Sequence, residues 1–87
     1  MLYDDPIAER LRQSSPKYQT DDPWGDFRGD FIKKPPGDRA QDIWNVEAWI
    51  NEYIKDHGSA PTRDLAGMFN AKRELSDLHQ TMRRAGR

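Results

Sequence analysis

Five of the six prolines, Pro6, Pro16, Pro23, Pro35 and Pro36, fall within the first 40 of the chain's 87 residues. Proline has no N–H to donate and fixes φ near about −65°, so it ends any helix that runs into it and cannot sit in a central strand. A chain punctuated this way cannot carry one long element through its first half. Gly25, Gly29 and Gly37 add to the interruption, whereas the second half holds a single proline, Pro61. The division predicts a Pro/Gly/Asp-rich, largely irregular arm over residues 1–40 and a small three-helix domain over residues 41–87. The expected fold class is all-α.

Composition limits the core. Leu, Ile, Val and Phe together number 14 of 87 residues, while 14 basic and 15 acidic side chains leave a net charge of −1. Low apolar content without net charge describes a modest folded part beside a poorly folded one. A helical domain of this size is marginal and is expected to draw stability from the arm, from a homodimer or from a partner. The sequence has no cysteine, which removes disulfides and thiolate metal sites. No apolar run nears the length that spans a bilayer, and the acidic N-terminus lacks the apolar stretch of a secretory signal. The expected location is cytoplasmic, without a membrane.

One short helix is predicted in the arm near residues 6–13: Asp5 caps, Pro6 suits the first helical position, and Ile7 and Leu11 are four apart. Lys17 to Pro36 shows neither helical nor strand periodicity. In the second half Asp38 and Gln41 are spaced as a capping box. Ile43, Val46, Ile50 and Ile54 then recur at helical spacing, with Trp44, Trp49 and Tyr53 widening the apolar face. Gly58 ends this helix. Thr62 caps a second, carrying Leu65, Met68 and Phe69, and Asn70 marks a turn. Leu75, Leu78, Met82 and Ala85 form a third helix that Gly86 ends.

The segment from Ile54 to Phe69, with Gly58 before Pro61-Thr62 and then Asp64-Leu65-Ala66, carries the most specific pattern. Met82-Arg83-Arg84-Ala85-Gly86 completes it. Over residues 46–86 this resembles the N-terminal helix-turn-helix domain of LexA-type repressors, without the wing and second domain of that family. The resemblance implies a short helix entered at Pro61-Thr62 and crossed closely at Ala66, which presents the next helix to a DNA major groove. Asn70 stands where the family has glycine.

Charge supports the same reading. Residues 62–87 carry a net +3 and residues 41–61 a net −3. Opposite the apolar stripe of the last helix lie Arg73, Ser76, Gln80, Arg83, Arg84 and Arg87. Arg and Gln pair bidentately with guanine and adenine edges. The expectation is a small regulator of transcription that binds double-stranded DNA. Arg73, Ser76 and Gln80 would read bases, Lys72, Arg83, Arg84 and Arg87 would hold phosphates, and Thr62 and Arg63 would position the preceding helix. Asp77 on that face and a pI near 6.1 count against it.

The alternative is a protein-binding adaptor or inhibitor of the mobile-element type. It would dock through the arm, where Trp24, Phe27 and Phe31 are three and four apart, together with any exposed part of Trp44 and Trp49. The same three residues could instead fold back and cover the helical core. His57 and His79 are 22 residues apart without further ligands, so no metal is implied. His57 reads as a helix C-terminal residue and His79 as a surface one. No nucleophile elbow, phosphate loop or dinucleotide fingerprint is present, so neither an enzyme nor a cofactor is expected.

Overall fold

The computed structural model describes residues 5–87, and these form four α-helices and a short 3₁₀ turn with no strand. The protein is all-α, as the sequence predicts. The helices are α1 (Pro6–Ser14), α2 (Pro23–Phe31), α3 (Pro36–His57) and α4 (Arg63–Arg84), with the 3₁₀ turn at Pro16–Tyr18 between α1 and α2.

The prolines explain the first correction. Pro6, Pro16, Pro23 and Pro36 each open an element instead of breaking one. At the first helical position the missing N–H has no intrahelical partner to lose, and the fixed φ is already helical. Asp5 accepts a hydrogen bond from the Ala8 N–H at 2.8 Å, and Asp22 accepts one from the Gly25 N–H at 3.1 Å. A Cβ on Gly25 would lie 2.2 Å from that Asp22 carboxylate, so a side chain there would make the capping carboxylate shift. The first 40 residues are therefore mostly helical, and α1 ends at Ser14. Helix α3 starts at Pro36, ahead of the expected Asp38 cap, and Gln41 bonds Asn45 at 3.1 Å instead of closing a capping box.

The second correction concerns α4. Residues 63–84 form one uninterrupted helix of 22 residues, so the turn predicted at Asn70 is absent. Leu65, Met68, Leu75 and Leu78 stay in phase on one stripe across Asn70, so nothing requires the chain to break. Gly67 and Asn70 keep helical backbones, and positive φ is confined to Gly58 and Gly86 among the described residues. Those two glycines end α3 and α4 as predicted. The Gly58 N–H reaches the Ile54 carbonyl at 2.7 Å, and the Arg87 N–H reaches the Met82 carbonyl at 2.8 Å. Thr62 caps α4 through the Leu65 N–H at 3.1 Å.

Helices α3 and α4 lie antiparallel as a hairpin, and α1 and α2 pack on it. Ile7, Leu11, Tyr18, Phe27 and Phe31 join Val46, Ile50, Leu65, Met68 and Leu75 in one core. The proline-rich region thus supplies as many buried core side chains as the hairpin does. Polar ties hold it in place. Arg10 of α1 pairs with Glu52 of α3. Glu74 of α4 pairs with Arg28 and accepts from the Trp24 indole at 3.4 Å. Arg39 is fully buried where the start of α3 meets the end of α4. Its Nη2 donates to the Arg87 main-chain oxygen, while Nε and Nη1 have no protein partner.

Candidate interaction surface

The residues predicted to read DNA do not form a helix-turn-helix. Thr62 and Arg63 open the same straight helix that Arg83 and Arg84 close, roughly 30 Å apart along one axis. No separate helix precedes a recognition helix for Thr62 and Arg63 to position. Arg73, Gln80 and Arg84 do share the outward face of α4, with Asp77 among them, and all four are exposed. Arg83 and Arg87 are exposed at its C-terminal end. Ser76 is half-buried. Lys72 is engaged by Glu47 of α3 at 3.2 Å.

The alternative docking set is also redistributed. Phe31 is completely buried and Phe27 nearly so. Phe27 meets Tyr18 edge-on at 5.8 Å between ring centroids, and Trp24 packs partly buried at 5.8 Å on its other side. These three residues cover the core, the second of the two roles their spacing allowed, and are not available to a partner. His57 sits at the C-terminal end of α3 as expected, stacked on Tyr53 at 4.3 Å. His79 is half-buried instead of on the surface. Burial, then the charges of Arg39 and Arg83, hold its pKa below the ordinary 6.5. Its Nδ1 has no protein partner. Among the described residues no group of side chains could hold a metal ion, and no helix is long and apolar enough to cross a membrane.

Two features of the surface stand out. One is a groove of about 530 Å³ between α1, α3 and the start of α4. The Tyr53–His57 stack lines it, together with the carboxylates of Glu9, Asp56 and Asp64. The other is the hairpin face turned away from α1 and α2. Trp44 is 62% exposed there and Phe69 44% exposed. On α3 the face carries Ala40, Trp44, Glu47 and Asn51 at spacings of four, three and four; on α4 it carries Phe69, Lys72, Ser76 and Gln80 at three, four and four. A shallow groove lined by Glu47, Ile50, Asn51, Phe69 and Lys72 joins the two stripes.

The apolar spacing predicts both aromatics on buried faces. Trp44 precedes Val46 by two residues, about 200° around the helix, so it points away from the core that Val46 enters. Phe69 follows Met68 by one residue, about 100° away, and only a turn at Asn70 would have brought it inward. The helical wheel thus contains the signal for Trp44, while Phe69 depended on recognising that α4 continues. Compared with known proteins, the chain matches no family model, no curated protein and no solved structure.

Proposed function

We propose that this chain is a protein-binding module whose contact surface is the open α3–α4 face centred on Trp44 and Phe69. The observation that carries the reading is the exposure of these two large aromatics on one face of a chain otherwise poor in apolar residues. Aromatic side chains are enriched at the centres of protein interfaces, where they supply much of the binding energy. The surrounding alanine, amide and hydroxyl side chains suit a flat, dry contact better than a phosphate backbone, which calls for clustered cations.

The DNA-binding reading keeps the exposed Arg73, Gln80 and Arg84 on the outward face of α4 and Arg83 and Arg87 at its end. Lys72 is committed to Glu47, and the turn that would aim a recognition helix is missing.

A photo-activatable cross-linker at position 44, used in the native host, tests the proposal against that reading. A discrete protein adduct that disappears when Phe69→Glu is added supports it. Absence of any adduct at 44, combined with steeply salt-dependent binding of mixed-sequence duplex DNA, overturns it in favour of a nucleic-acid partner.

A further inference from the structure

We infer that the groove between α1, α3 and the start of α4 is a second interaction site, which takes an arginine-bearing basic segment of a partner protein. It lies on the side of the hairpin that α1 covers, away from the Trp44–Phe69 face, and does not depend on the reading of that face. The groove holds about 530 Å³, within the range of about 300–1,000 Å³ that ligand sites occupy. Trp49, Tyr53 and Met68 line it, with the exposed His57 ring stacked on Tyr53 at 4.3 Å.

Charge selects the occupant. Glu9 of α1, Asp56 of α3 and Asp64 of α4 bring carboxylates to this one groove, in a chain whose net charge is only −1. Arg10 also lines it, but its guanidinium is taken by Glu52. None of the three carboxylates forms an ion pair among the described residues. Glu9 and Asp64 stand in first helical turns, where the macrodipole favours an anion. Asp56 is one residue from the end of α3, where the macrodipole disfavours one, so its own helix does not account for it.

A guanidinium answers both parts of this lining. Its plane stacks on an aromatic face, and its N–H fork pairs with carboxylates. An ammonium offers only a point charge. Glu9 and Asp56 are exposed, and a single exposed ion pair contributes little. Several contacts on one segment must therefore act together, which selects a peptide with more than one arginine over a small free amine.

The probe is the acetylated, amidated peptide Arg-Gly-Arg-Gly-Arg, titrated into the nitrogen-15-labelled whole chain at about 0.15 M salt. The three tryptophans report on separate places: Trp49 on the groove, Trp44 on the open face and Trp24 beside Glu74. The expected result is a saturable shift of the Trp49 indole N–H signal while the Trp44 signal stays in place. Replacing each arginine by citrulline, its uncharged isostere, should abolish the shift. Glu9→Gln combined with Asp56→Asn should weaken the peptide about tenfold. Asp21→Asn combined with Asp38→Asn removes the same charge outside the groove and should change the affinity by less than about twofold. All four substituted positions are exposed, so folding is retained, and circular dichroism verifies it. Absence of a saturable shift up to millimolar peptide overturns the inference, as does a shift of Trp44 in place of Trp49. Equal binding of the citrulline peptide, equal losses in the two double variants, or tighter binding of spermine at Trp49 would each overturn it as well.

Discussion

Phe31→Ala tests whether the proline-rich first 40 residues are part of one cooperative unit. The Phe31 ring is fully buried at the end of α2, in a core shared with Val46, Ile50, Leu65, Met68 and Leu75. Truncating a buried phenylalanine to alanine costs about 3–5 kcal/mol, from lost transfer energy and the cavity left behind. A chain of 87 residues has a total stability on the order of 4–13 kcal/mol. The substitution should therefore remove a large fraction of it and shift the whole urea transition. Circular dichroism at 222 nm, dominated by α3 and α4, should move together with tryptophan fluorescence and keep one midpoint. Trp44→Ala should change stability by only about 0.5 kcal/mol or less. The reasoning fails if Phe31→Ala leaves the helical signal of the hairpin at its original midpoint, because α1 and α2 would then be a detachable arm.

Other expectations follow from single contacts. Asn70→Ala should stabilise the protein by about half a kcal/mol, as an exposed position inside a continuous helix; a loss of stability in urea titration would instead reveal a left-handed turn there. Thr62→Ala should cost about 1 kcal/mol through the lost α4 cap, and Thr62→Ser should restore most of it in the same titration. Arg39→Met keeps the packed stem and removes two unpaired N–H donors, so it should be near neutral or stabilising, whereas Arg39→Ala leaves a cavity and should destabilise by about 2–4 kcal/mol. His79 has a folded pKa below 6.5, so as pH falls the unfolded chain takes up its proton first. Stability should therefore decline from about pH 6.5 down through the folded pKa, and His79→Gln should flatten that part of the pH–stability curve measured by thermal melts.

The helical class was readable because period and caps agreed. Val46, Ile50, Leu65, Met68 and Leu75 entered the core at the spacing their sequence positions require, and Gly58, Thr62 and Gly86 ended or began helices where expected. The first half is harder to read because proline has opposite meanings at the two ends of a helix. Asp5 before Pro6 reads as a start, and Asp22 before Pro23 is the same pair and opens α2 in the same way. Asn70 failed for the reverse reason: its tolerance of turns is only a local preference, and the apolar stripe running through it prevailed. Of the candidate surface, the basic residues of α4 are visible in the sequence and mostly exposed, but charge alone does not reveal which face the fold leaves open. That depended on α1 and α2 taking the other side of the hairpin, a long-range choice that no local pattern contains.

Helices α1 and α2 have nine residues each, fewer than an isolated helix needs to persist in water. They can exist only while docked, so their amides should exchange with solvent at rates set by release from the hairpin and not by fraying within each helix. The exposed link at Thr20, Asp21 and Asp22 joins them. A protease acting there would count undocking events, and the lifetime of the whole chain in a cell would follow the hold that Glu74 keeps on Trp24 and Arg28.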